Sequence, residues 1–162
     1  MPNNKPISAI AVFNFPNCKG TVSFIESLND NSVIINIDLE GAKRGLHGFH
    51  IHETGNLLDG CGSCKSHFNP TNKKHGGPND TERHVGDLGN ILFDDNKKCK
   101  MSIKDKVIKL RGNKYNILGR SCVVHSKEDD LGKGGNPDSL KTGNAGSRIG
   151  CAVIGYKDAY YF

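Results

Sequence analysis

In the first third of the chain, apolar side chains recur at every second position in four short runs: Ile7 to Phe15, Gly20 to Leu28, Ser32 to Leu39 and Leu46 to His52. A period of two puts alternate side chains on opposite faces of an extended strand, whereas a helix needs apolar spacings of three and four. Helical spacing is sustained nowhere for more than a turn or two, and Asp129-Asp130-Leu131 is the candidate for one short turn. Asn29-Asp30-Asn31 and Gly41 to Gly45 separate the runs with residues suited to hairpins and other tight connections. Strand-like segments return at Val85 to Phe93, Lys100 to Lys109, Ile117 to His125 and Arg148 to Tyr156. The pattern predicts an all-β domain that opens with an antiparallel meander.

Two stretches break the alternation. Glu53 to His84 and Ser126 to Ser147 are rich in Gly, Asn, Asp and Lys and show no periodicity. Irregular segments of that length in a compact domain are functional or disordered. A chain of 162 residues is expected to form one domain, so a single site should account for both. The net charge of +5 is spread along the chain without the block of like charges that a nucleic-acid arm requires. Met1 to Ala11 carries no apolar core of a secretory leader, and no membrane span is visible; the expectation is a cytoplasmic protein.

Five of the seven histidines fall between His47 and His75, with His84 and His125 completing the set. His50 and His52 lie two apart in a strand, so both rings leave the same face and can grip one ion. The irregular stretch contributes His67, His75 and His84, followed by Asp87, a donor set that zinc accepts readily. Copper prefers imidazole in a distorted planar arrangement, which suits His50, His52, His125 and one loop histidine. A solvated polar loop would explain these residues one by one, but not their concentration in the region without periodic structure. Among the cysteines, Cys61 and Cys64 form a C-x-x-C that alone reads as a redox pair, half a metal site or chance.

Longer motifs go further. Gly45-Leu46-His47-Gly48-Phe49-His50-Ile51-His52-Glu53, His67-Phe68-Asn69-Pro70, His75-Gly76-Gly77-Pro78 and Arg83-His84-Val85-Gly86-Asp87-Leu88-Gly89-Asn90 resemble the copper,zinc superoxide dismutases. Val123-Val124-His125, Asp129-Asp130-Leu131-Gly132-Lys133-Gly134-Gly135-Asn136 and Thr142-Gly143-Asn144-Ala145-Gly146-Ser147-Arg148 resemble the second half of that family, and the similarity runs from Ile7 to Tyr156. The resemblance implies a single domain over 1–162: an eight-stranded antiparallel Greek-key β-barrel, an immunoglobulin-like sandwich, with a metal-binding loop at 53–86 and an electrostatic loop at 126–147. The tail at 157–162 has no role in this scheme.

The resemblance also implies one copper and one zinc per subunit. Copper would be held by His50, His52, His67 and His125, and zinc by His67, His75, His84 and Asp87, with His67 bridging the two and supplying a proton. Asp129 would link a copper-ligand imidazole to a zinc-ligand imidazole, and Arg148 would dock superoxide. Thr142 would narrow the channel, while Lys141 and Lys127 would attract the anion. His47 reads as a structural hydrogen-bonding residue. Cys61 and Cys151 match the family disulfide. The implied activity converts superoxide to dioxygen and hydrogen peroxide by cycling copper between Cu(II) and Cu(I), in a homodimer that a copper chaperone loads. A metallochaperone copying this fold is the rival reading, and the chain has neither the M-x-C-x-x-C nor the terminal C-x-C of such proteins. Departures from the family pattern stand at Cys64, which leaves a Cys64–Cys151 bridge open, at Thr54 and Tyr156 on the dimer face, at Ala42 and at Pro137-Asp138.

Overall fold

The computed structural model describes residues 5–161. Residues 1–4 and 162 of the expected domain lie outside the described residues. Among the described residues nine strands follow one another: β1 (Ser8–Phe15), β2 (Cys18–Glu26), β3 (Val33–Glu40), β4 (Gly45–His52), β5 (Asp87–Phe93), β6 (Lys98–Asp105), β7 (Ser121–His125), β8 (Arg148–Val153) and the two-residue β9 (Gly155–Tyr156). They form two antiparallel sheets, ordered β6-β3-β2-β1-β9 and β5-β4-β7-β8. β3 pairs with β6 while β4 crosses to the other sheet, which gives the Greek-key sandwich its wiring. No described helix is long and apolar enough to cross a membrane.

The two sheets are buried differently, and that difference places the site. In β3, Val33, Ile35, Ile37 and Leu39 point into the core while the residues between them face out, the alternation a half-solvated sheet requires. In β4 and β7 the alternation disappears. Phe49 and Ile51 of β4 and Cys122 and Val124 of β7 enter the core, yet His50, His52, Val123 and His125 on the opposite face are buried as well. The two irregular loops cover that outer face.

The loops are tied down. Cys61 and Cys151 form a disulfide that joins the first loop to β8 across 90 residues. Closing a loop of that length contributes roughly 4–5 kcal/mol in the chain-entropy account. Arg83, buried, donates to the carbonyls of Pro78, His84 and Val85 and pairs with buried Asp105 at 2.8 Å, which fastens the end of the same loop to β6.

Several boundaries differ from the sequence reading. The segment from Lys100 leaves the sheet at Asp105 rather than Lys109, because the Asp105 carboxylate accepts from the amides of Val107 and Ile108 and turns the chain. β7 starts at Ser121 rather than Ile117. The last strand divides at Ile154, where the chain passes from one sheet to the other and β9 pairs with β1. The short turn expected at Asp129-Asp130-Leu131 falls at Leu131-Gly132, and a 3-10 turn forms instead at Pro137–Leu140, with the Asn136 side chain accepting from the Ser139 amide. The tail has a place: Lys157 N donates to Ser8 O, Ser8 N donates to Tyr160 Oη at 2.7 Å, and Lys5 pairs with Asp158. It extends the cover over the β1 edge.

Candidate metal centre

Strands deliver three of the histidines. His50 and His52 leave the outer face of β4, and β7 lies in register beside it, His50 against Val123 and His52 against Ser121. A bulge at Val124/His125 turns His125 toward them, so that its Nε2 comes within 3.4 Å of His52 Nε2. The covering loop adds His67, His75 and His84, and Asp87 begins β5.

Hydrogen bonds on the far side of each ring decide which nitrogen is left to bind. His52 Nδ1 donates to Lys65 O at 2.8 Å and His125 Nδ1 to Gly146 O at 3.2 Å, so both turn a free Nε2 lone pair inward. His50 Nε2 and His75 Nε2 donate to the two oxygens of Asp129, each at 2.7 Å. The opposite nitrogens, His50 Nδ1 and His75 Nδ1, are buried without a hydrogen-bond partner. His75 Nδ1 lies 3.0 Å from Asp87 Oδ2, close enough for attraction but not aligned to donate. Orphaned ring nitrogens aimed into a cluster of other donors are what a metal site looks like from the protein side.

Two four-donor groupings result. His50, His52, His67 and His125 bring one nitrogen each to within 4.8 Å of one another. His67 turns its Nδ1 the other way, to 3.1 Å from His84 Nδ1 and 3.0 Å from Asp87 Oδ1, and His84 Nδ1 is 3.2 Å from the same oxygen. His50, His67, His75 and Asp87 also fall within 4.8 Å. His50 has only one unbonded nitrogen, however, so it can serve one cluster and not both.

Electrostatics agree with this division. Burial, reinforced by neighbouring rings, holds His50 and His52 well below the usual imidazole range. Burial also lowers His125 to about 4, against the pull of its bond to Gly146, and lowers His67 despite Asp87. These rings are neutral and keep their lone pairs. Burial opposes the ionisation of Asp87 as well, but the close approach of His67, His75 and His84 outweighs it and holds the carboxyl far below the ordinary range. For His75, burial is outweighed by Asp129 and Asp87, which raise it to about 9; a cation would compete there with a single proton. An all-imidazole cluster suits copper and a three-imidazole, one-carboxylate cluster suits zinc.

The profile of the copper/zinc superoxide dismutases matches residues 18–154. The chain belongs to that family. It is 60% identical over 153 residues, 94% of this chain and 80% of the relative, to a Cu-Zn superoxide dismutase of Paramecium bursaria Chlorella virus 1. It is 51% identical over 148 residues, 91% and 97% of the two chains, to Cu-Zn superoxide dismutase 5 of Dictyostelium discoideum. Among solved structures, the clock protein EA4 superposes with a TM-score of 0.89 at 45% identity, covering 96% of this chain and 98% of that one.

As in any superoxide dismutase, an anion has to reach the imidazole cluster. A cavity of about 420 Å³ opens onto His52, His67 and His125 and is walled by Lys127, Lys141, Thr142 and Arg148 together with Ser66 and Asp138. Arg148 Nη1 donates to Cys61 O at 2.7 Å, which fixes the guanidinium at the cavity wall. Lys127, Lys141, Thr142 and Arg148, named from the sequence for this region, all line that cavity. His47 stays apart: its nitrogens face His125 O at 2.7 Å and Lys43 O at 2.8 Å, so neither is available to an ion.

Sequence reasoning missed the parts that act through the main chain. Lys65 and Gly146 orient ligand rings with their carbonyls, which any residue type carries. Asn90 holds Asp129 by a reciprocal pair of bonds, Nδ2 to Asp129 O at 2.9 Å and Asp129 N to Oδ1 at 2.7 Å. Gly143, at φ 71°, lies where a Cβ would overlap both Asp129 Oδ1 and His75 Nε2. The T-G-N-A-G motif was the available signal for it.

Proposed function

We propose that this chain disproportionates superoxide, with copper at His50, His52, His67 and His125 and zinc at His67, His75, His84 and Asp87. The observation that carries this reading is two donor groupings that meet at His67, with His84 and Asp87 beside its Nδ1, next to a cavity walled by Arg148, Lys127 and Lys141. Since Asp129 occupies the only other ring nitrogen of His50, the first cluster needs His50, and His84 completes the second.

Copper held by His50, His52, His67 and His125 would supply the one-electron couple that the disproportionation requires, and zinc held by His67, His75, His84 and Asp87 would be redox-inert. The protein's share is positioning, charge and a proton. Superoxide is small and offers almost no surface to bury, so it must be held by charge and hydrogen bonds; the Arg148 guanidinium provides both. Lys127 and Lys141 raise the local concentration of anions, an effect that a positively lined cleft can bring to about 10–10³-fold in on-rate. Thr142 narrows the approach. His67 faces the first cluster with Nε2, because Nδ1 is turned toward Asp87 and His84, and Nε2 is the atom that can hold a proton and hand it to the departing peroxide. Two superoxide anions and two protons thereby give one dioxygen and one hydrogen peroxide.

The reading extends to a cytoplasmic homodimer loaded by a copper chaperone. Support for a dimer comes from Val153, 42% exposed, and Tyr156, 51% exposed, on β8 and β9, with Gly55 packed against Gly119 and Val153 beside them. Light scattering and cell fractionation test assembly and location. The activity itself is tested by metal analysis of the purified protein with a superoxide-disproportionation assay before and after chelation. Copper- and zinc-loaded protein without activity would refute it.

A further inference from the structure

Of the free thiols among the described residues, Cys18, Cys99 and Cys122 are embedded in the main core. Cys64 is not. It packs with Cys151 and Val123 in a separate buried cluster, with Cys61 and Phe15 against it. A fully buried thiol therefore sits against the disulfide that ties the loop to β8. Cys61 and Cys64 share one 3-10 turn, Gly60–Cys64, so the present partner of Cys151 and its competitor ride on the same short element.

We propose that Cys64 exchanges with Cys61 as the partner of Cys151, and that the exchange governs how firmly Arg148 is held. The Cys64 thiolate attacks Cys151 Sγ; the Cys64–Cys151 bond forms as the Cys61–Cys151 bond breaks, and the proton released by Cys64 ends on Cys61. No oxidant or reductant is consumed. Attack on Cys61 Sγ instead would trade a 90-residue loop for the small ring of a C-x-x-C and forfeit most of the constraint on the unfolded chain. The loop closed by Cys64–Cys151 is only three residues shorter than the present one. Its closure entropy is virtually the same, because that cost grows with the logarithm of length. Local geometry then decides between the two bridges.

The turn has contacts that register the change. Cys61 O accepts from Arg148 Nη1 at 2.7 Å, and at the other end Lys65 O accepts from His52 Nδ1 at 2.8 Å. Lys65 itself holds φ 66° and ψ −153°, a region close to glycine's alone, so the peptide next to Cys64 is strained as it stands. Moving the bridge to Cys64 releases the Cys61 end of the turn, and with it the carbonyl that anchors Arg148. The link to substrate docking rests on the role proposed for Arg148; the exchange does not.

The test is incubation of the metal-loaded protein in mildly alkaline buffer without added thiol or oxidant, an acid quench, alkylation and mapping of non-reduced peptides. The expected result is a Cys64–Cys151 peptide growing beside Cys61–Cys151, with Cys61 alkylated to the same extent, and only Cys61–Cys151 in Cys64→Ala. Alkylation confined to Cys64 at all times overturns the exchange. Cys61→Ser isolates the second bridge: folded, loaded protein with Cys64–Cys151 closed should show a second-order rate constant for superoxide about tenfold lower. Two free thiols in that folded, air-oxidised variant overturn the exchange, and a parental rate in the bridged variant overturns the link to Arg148. Should Cys61→Ser fail to fold, the time course of the unaltered chain decides.

Discussion

Asp129 is the residue whose removal separates the two metal clusters most clearly. Its two oxygens accept from His50 Nε2 and His75 Nε2, both at 2.7 Å, and its side chain is wholly buried. Asp129→Leu keeps the branched shape and removes both acceptors. Each ring N–H left unsatisfied in a buried site costs roughly 1–3 kcal/mol, about 2–6 kcal/mol together if neither ring moves. The rings differ in their freedom to escape that cost. His50 is fixed by β4 and by packing on both sides, whereas His75 sits in an irregular loop and is otherwise tied by its main-chain N to Leu140 O. His75 should therefore turn, and its Nδ1 lose aim. Loss of a partner that orients a ligand typically costs 10–100-fold in metal affinity, equivalent to about 1.4–2.7 kcal/mol. The expected outcome is a drop near 100-fold for zinc at His67, His75, His84 and Asp87, with a distinctly smaller drop for copper at the strand-borne cluster. Competitive titration of each metal against a chelator measures both. Equal losses at the two clusters, or an unchanged zinc affinity, would refute the reasoning.

Four further outcomes follow from the same geometry. Arg148→Ile should lower the second-order rate constant by an order of magnitude or more at unchanged metal content and flatten its dependence on ionic strength, with Arg148→Lys between the two; stopped-flow assays over a salt series check this. His125→Ala should lose copper and activity while the melting profile of the sandwich persists, since Cys122 and Val124 still fill the core from β7; metal analysis with calorimetry shows it. Asp87→Ala should weaken zinc binding and lower the melting temperature of the zinc-loaded protein, because metal binding contributes folding free energy; calorimetry with and without zinc measures the difference. Asp105→Ala leaves the buried Arg83 guanidinium without its carboxylate and should cost about 3–5 kcal/mol, read from the denaturant midpoint.

Alternation in β1 to β3 made the all-β class and the opening of the meander legible in the sequence, because a half-buried strand imposes its period directly on side-chain polarity. The histidines were legible for a related reason: a metal cluster needs particular donor atoms, and only a few residue types carry them. The long motifs then tied those donors to a family with known roles for them. Strand ends were less visible. Asp105 and Ile154 stop or redirect their strands through side-chain caps and a change of sheet, events that hydrophobic period does not encode. The burial of His50, His52 and His125 on the outer face of β4 and β7 was also invisible, since it depends on loops arriving from elsewhere in the chain. Which nitrogen each ring presents was decided by Lys65 O, Gly146 O and Asp129, two of them backbone carbonyls that leave no mark on residue identity. The place of Cys64 against Cys151 belongs to the same class: residue type named a thiol, and only the packing of the loop onto β8 set it beside a disulfide.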